Sequence, residues 1–255
     1  SELRQSMLPS LLEALQYNVA RSQQNVRLFE VGKVFSIGKN GSEDFQEREV
    51  IGAAVTGEWG HASWQSPSQP VDFFALKGVL EAYFAELNCS NRIRFVATDA
   101  IGQLHPGQTA YIYLGEELVG FIGKIHPVIQ KELDLSDTFV FELLVEPLLA
   151  EGLQERVIQS VPKFPSMTRD IALLVPVTMA HATLEAVIKE QAGQYVQSVT
   201  LFDVYKGEHV QEGYQSLAYS IRFLNKEATL QEEEIKQAMD RIQTALVALD
   251  DVTIR

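Results

Sequence analysis

Two residues in the stretch 201–207 (LFDVYKG) have the types and the spacing to do chemistry. Asp203 is a carboxylate that, when ionised, only accepts hydrogen bonds, and Tyr205 is a flat ring two positions on. Side chains on a strand alternate between faces. Asp203 and Tyr205 therefore share a face with Leu201, while Phe202 and Val204 are expected on the other, in the core. A carboxylate beside a phenol suits an unstacked nucleobase, whose plane lies on the ring while its N–H groups meet the carboxylate. The same residues also read as the plain end of a strand before a glycine turn. The stretch alone leaves both readings open.

Other candidates are thinner. His105-Pro106 and His126-Pro127 have no carboxylate or nucleophile at a spacing that supports a catalytic base, and read as turns. The five histidines are scattered and Cys89 is the single cysteine. That excludes an internal disulfide framework and a cysteine-built zinc site, gives metal chemistry little to stand on, and fits a reducing compartment, with cytoplasm as the expectation. A net charge of −13 argues against holding nucleic acid by bulk electrostatics. A local contact to unstacked bases stays open if another subunit supplies the basic surface. No apolar run is long enough to cross a bilayer, and the acidic start has no signal-peptide character. The start is expected to lie inside a larger protein.

With 255 residues, 46% of them hydrophobic and 22% charged, the chain has room for two ordinary folded domains. The first is expected over 1–150. Leu8, Leu11, Leu12, Leu15 and Val19 mark an amphipathic helix with Ser6 as its cap. Strands are predicted over 26–35 and 48–56, joined by a polar turn at 39–47. A loop at 57–70 leads to a helix over 71–87 with Phe73, Leu76, Leu80, Tyr83, Phe84 and Leu87 on its apolar face. A strand near 93–96, a hairpin over 109–114 and 118–125, a short helix to 133 and a strand over 138–145 complete it.

A polar connection is expected over 151–161, and a second domain over 162–255. Its pattern is a strand at 169–175, a helix at 179–192, the strand carrying Tyr205, a strand at 214–223, a helix capped by a Thr229–Glu232 box, and a short last strand at 252–255. The order βαββαβ is the ferredoxin-like plan, in which both helices cover one face of an antiparallel sheet. Alternation sends Ile171, Leu173, Val175, Phe202, Val204, Leu217, Tyr219, Ile221 and Phe223 toward the helices. The bare face then carries Asp170, Ala172 and Leu174, with Leu201, Asp203 and Tyr205, and with Ser216, Ala218, Ser220 and Arg222. Small residues around one ring leave room for a flat base, although an open face can also serve dimerisation.

Several motifs in order carry a resemblance. FP at 164–165, RDIA at 169–172, LFDVYKG at 201–207, SLA at 216–218, TL at 229–230 and the terminal Ile254-Arg255 resemble the ferredoxin-fold anticodon-binding domain of the bacterial phenylalanyl-tRNA synthetase beta chain. Upstream, LRQSMLPSLLEALQYN at 3–18, RLFEVGKVF at 27–35, DFFALKG at 72–78, LHPGQTA at 104–110 and VGFIGKIHP at 119–127 are similar to the class II synthetase-like domain of the same family. The resemblance covers essentially the whole chain. It implies an α+β protein, a noncatalytic class II-like core domain followed by the βαββαβ domain, within an ATP-dependent ligase of two alpha and two beta chains.

In that family the alpha chain holds the aminoacylation site with its ATP and Mg²⁺, and no cofactor is expected in this segment. The sequence fits by what it lacks. Phe29 and Glu30 are followed by Val31 and Gly32, and Gly120 to Gly123 leads only to Lys124, so the arginines that adenylyl chemistry demands are missing. Carried over residue by residue, Asp203 would accept from the edge of the first anticodon base, a guanine of tRNA(Phe). Tyr205 would stack on it, Ala172 would close the slot, and Ser216 and Arg222 are further candidates, the latter for a phosphate. The helix over 71–87 and the first helix are candidates for contact with the alpha chain. Two rival readings remain: an amino-acid-binding regulatory module of the same βαββαβ plan, for which 175–178 offers no Gly-rich turn, and a working synthetase-like first half. A conventional RNA-recognition sheet is disfavoured, because Ser216, Ala218 and Ser220 occupy the row where its aromatics would stand.

Overall fold

The computed structural model describes residues 3–37, 45–60, 62–150 and 161–255. The chain divides into two compact units, Ser1–Val157 and Ile158–Arg255. The division falls inside the stretch expected to connect two domains. Most of that stretch, 151–160, lies outside the described residues, as does most of the turn expected at 39–47.

The first unit runs α1 (Leu8–Val19), β1 (Val26–Ile37), β2 (Phe45–Thr56), α2 (Phe73–Glu86), β3 (Ile93–Ala97), β4 (Leu104–Leu114), β5 (Glu117–Ile125), α3 (Pro127–Glu132), β6 (Thr138–Leu144) and α4 (Val145–Ala150). Its strands form one antiparallel sheet in the order β1-β2-β6-β5-β4-β3. Strand parity gives the sheet two apolar faces. Ala53, Val55, Phe139, Phe141 and Leu143 pack under Leu76, Leu80 and Phe84 of α2. Val50, Ala54 and Val140 pack under Leu8, Leu11, Leu12 and Leu15 of α1.

Two features bring α1 close to the sheet. A Cβ on Gly52 would stand 2.8 Å from the Met7 Cβ, so this point of β2 admits no side chain beneath the helix start. Beside it, Glu142 on β6 accepts from Ser6 Oγ at 2.8 Å and from the Met7 backbone N–H at 2.7 Å. The cap expected at Ser6 falls instead at Met7, which makes no side-chain cap bond, and Ser6, one residue earlier, accepts from the Leu8 N–H through its hydroxyl at 3.1 Å. A carboxylate at a helix N-terminus meets free N–H donors and the positive end of the dipole. Replacing Glu142 by Ala should destabilise the first unit by about 1–2 kcal/mol, read as a lower denaturation midpoint with the far-UV spectrum unchanged.

The second unit runs β7 (Met167–Pro176), α5 (His181–Ala192), β8 (Val196–Tyr205), β9 (Tyr214–Phe223), α6 (Glu232–Val247) and β10 (Thr253–Ile254). The strand order is β10-β7-β9-β8 with every pair antiparallel, the ferredoxin-like arrangement expected from the sequence. Ile171, Leu173, Val175, Leu217, Tyr219, Ile221 and Phe223 are buried against Leu184 and Ile188 of α5 and Ile235, Ile242 and Leu246 of α6. One further bond ties this face together. Tyr219, fully buried, hydrogen-bonds His181 Nδ1 at 2.9 Å at the start of α5, with the two rings stacked 5.5 Å apart.

Two expectations are corrected here. The cap of α6 forms two residues later than Thr229–Glu232: Glu234 Oε2 accepts from the Gln231 backbone N–H at 2.8 Å. More important, β8 does not keep one parity. Leu201 pairs with Tyr219 on the helix face, the register then shifts, and Asp203 pairs with Ala218 on the other face. This is a β-bulge, in which two residues of one strand stand opposite one of its partner. Leu201 therefore packs with the core, and Phe202, expected inside, is 57% exposed, whereas Val204 keeps the expected side opposite buried Leu217 but is 51% exposed on the outer strand of the sheet.

Burial holds the Tyr219 phenol well above its ordinary value of 10.0, with the Glu185 charge adding to the effect. The folded protein then keeps a proton that the unfolded chain gives up. The contribution is whole below about pH 10 and is lost as pH rises beyond it, by up to about 1.4 kcal/mol per pH unit. Urea titrations from pH 8 to 11 should show this decline, and Tyr219→Phe should flatten it.

Candidate nucleic-acid interface

The cross-strand register of the second unit sets out its uncovered face in rows. Ala172, Ala218 and Asp203 form one row across β7, β9 and β8, and Leu174, Ser216 and Tyr205 form the next. Ala172 and Ala218 are half-buried between buried neighbours, and they make a floor one strand spacing across, about 5 Å, with β8 one spacing further on. At its β8 end stands Asp203, exposed and without a hydrogen bond or ion pair to any described residue, so both carboxylate oxygens are free to accept.

Tyr205 is 41% exposed at the end of β8. Its ring folds back over the turn. A Cβ on Gly207 would stand 2.6 Å from Tyr205 Cζ, so the glycine makes the space that the end of the ring occupies. Nothing in the sequence marked this role, because the glycine there reads as an ordinary turn residue.

The remaining candidates sit differently. Ser216 is on the same face but only 8% exposed, and lies between Leu174 and Tyr205 as part of the floor. Arg222 is in the row of Thr168 and Ser198, four residues and roughly 13 Å along β9 from Ala218. Its Nε donates to Ser166 Oγ at 2.9 Å. Ala172, Asp203, Tyr205 and Ser216 are thus brought together, whereas Arg222 belongs to the far end of the face.

What the arrangement can do follows from these groups. Small side chains admit a flat ring, a phenol gives it a stacking surface, and an acceptor-only carboxylate selects an edge that presents N–H donors. Residues 162–255 match the ferredoxin-fold anticodon binding domain, and residues 1–145 match the phenylalanyl tRNA synthetase beta chain CLM domain. The chain belongs to the phenylalanyl-tRNA synthetase beta chain family.

Curated relatives agree with this membership. The phenylalanine–tRNA ligase beta subunit of Bacillus subtilis is 45% identical over 246 residues, which cover 96% of this chain and 30% of that protein. Its counterpart in Latilactobacillus sakei is 40% identical over 253 residues, covering 99% of this chain and 31% of that protein. The chain therefore spans less than a third of the length of the beta subunits it matches. Among solved structures, a pyrrolysyl-tRNA synthetase from Desulfitobacterium hafniense is similar over 58% of this chain and 50% of that one, at a TM-score of 0.44 and 14% identity, too remote to add to the assignment.

For the anticodon-binding domain of this beta chain, the glycine after the tyrosine is the first thing to test. Gly207→Ala should leave stability within about 1 kcal/mol, since a turn at the surface can absorb a methyl group. The Tyr205 ring resonances should nevertheless shift, as the ring is displaced from its place over the turn.

Proposed function

We propose that this chain is the C-terminal part of the beta chain of a phenylalanine–tRNA ligase, and that its second unit reads the anticodon of tRNA(Phe) on the uncovered sheet face. One observation carries the reading: Asp203 lies at the end of the Ala172–Ala218 floor and Tyr205 lies in the adjoining row, all on the side away from α5 and α6. A guanine is the natural occupant. Its Watson–Crick edge offers two adjacent N–H donors to a carboxylate that has no other partner, while its plane stacks on Tyr205.

In this reading the first unit is a noncatalytic class II-like scaffold that meets an alpha chain, in an assembly of two alpha and two beta chains located in the cytoplasm. Its α2 flank supports that role. A hollow of about 390 Å³ lies between α2 and β1 and is lined by Leu28, Phe29, Val31, Trp59, Val79, Tyr83 and other apolar groups, with Phe29 77% exposed. α1, the other expected contact, already turns its leucines into the core, which favours α2 and β1 as the partner surface. Arg27 is the one charged group among the described lining residues, and no carboxylate there could hold Mg²⁺. The hollow does not fit ATP with its metal, and both are assigned to the alpha chain. No described helix is long and apolar enough to cross a membrane.

The test compares the assembled ligase with variants in this face. Asp203→Asn and Tyr205→Ala should each weaken tRNA recognition by about 1–3 kcal/mol, measured as KM for tRNA(Phe) in aminoacylation, while phenylalanine-dependent pyrophosphate exchange stays unchanged. Equal loss in the exchange reaction would refute the assignment.

A further inference from the structure

The bulge in β8 creates a feature that alternation would have hidden. Val199 and Leu201 face the helices, and an undisturbed strand would continue with Asp203 and Tyr205 on that face and with Phe202 opposite. The register shift after Leu201 instead sets Phe202 together with Asp203 opposite Ala218. Phe202 is the largest apolar side chain of the strand, has no place in the ladder register, stays outside the core cluster and is 57% exposed. A single exposed apolar side chain needs no special account. This one stands beside the free Asp203 carboxylate, with the ring of Tyr205 three residues further along the same strand.

Resting on the anticodon reading above, we infer that Phe202 is a second stacking surface, holding the nucleotide next to the one that Asp203 and Tyr205 read. Phe202 sits at the bulge and the Tyr205 ring lies over the Gly207 turn, so the two rings are separate surfaces and each can take its own base. Asp203 shares the uncovered face with Tyr205, where it meets the edge of the base on Tyr205 and leaves the base on Phe202 unread. Stacking on an aromatic face is tolerant of base identity. The pair thus divides the work: Asp203 selects, and Phe202 holds whatever base comes next.

The assembled ligase provides the test, with tRNA(Phe) transcripts that carry either the normal anticodon loop or an abasic site beside the recognised base, on one side or the other. Phe202→Ala should raise the KM for tRNA about 5- to 100-fold. Phe202→Leu, which keeps apolar bulk without a π-face, should also weaken binding, and Phe202→Trp should preserve it. On one of the two abasic transcripts the Phe202→Ala effect should vanish while the Asp203→Asn effect persists. A merely structural phenylalanine would give the same loss on all transcripts and a lower melting temperature, which would overturn the inference. So would an unchanged KM in Phe202→Ala alongside a raised KM in Asp203→Asn, with the anticodon reading left standing. If neither variant changes KM, that reading fails too. A Phe202→Ala chain that no longer assembles with its partner chain would identify the surface as a protein contact and refute the stacking role.

Discussion

Two helices can shield only one side of a four-stranded sheet, and the second unit is built on that limit. α5 and α6 pack on each other and on Leu173, Leu217, Tyr219 and Ile221, with the Tyr219–His181 bond fastening helix to strand. The opposite side is left to face solvent. Once the helix side is filled with large apolar groups, strand parity dictates which residues the other side shows. The uncovered face is thus a by-product of core packing, specialised by a few side chains. Asp203, Tyr205 and the two alanines need no framework of their own, because the buried residues between them fix their positions.

The first unit solves the same problem in the other way. Its six-stranded sheet is covered on both sides, by α1 and by α2, and the strands show it: Ala53 and Ala54, or Val140 and Phe141, are neighbours that are both buried. Close approach of α1 depends on the bare backbone of Gly52 and on the Glu142 carboxylate at the helix start. What remains unfilled is the flank between α2 and β1, where Phe29 and Val31 are exposed beside an apolar hollow.

Much of this was legible in the sequence because the determining patterns are local. The βαββαβ order, the helix-facing sides of β7 and β9, and the presence of Ala172, Asp203 and Tyr205 on the bare face follow from periodicity and turn residues. The fate of Phe202 did not, although a trace of it was there. Along β8 the apolar residues fall at odd positions, Val199 and Leu201, and then at even ones, Phe202 and Val204. A change of parity inside one strand is the mark of an inserted residue. Reading 201–205 by itself hides the change, since those five residues alternate without fault. The Glu142–Met7 bond and the space that Gly207 leaves for Tyr205 link residues by backbone geometry that no period encodes.

β8 is also the outer strand of its sheet, and it carries exposed Phe202, Val204 and Tyr205. A straight, apolar outer strand invites another chain to zip onto its open backbone groups and start a fibre. The kink at Leu201–Asp203 interrupts the even run of donors and acceptors that such zipping requires. The irregularity that turns the Asp203 carboxylate onto the uncovered face thus also keeps an aromatic-rich border from acting as an aggregation template.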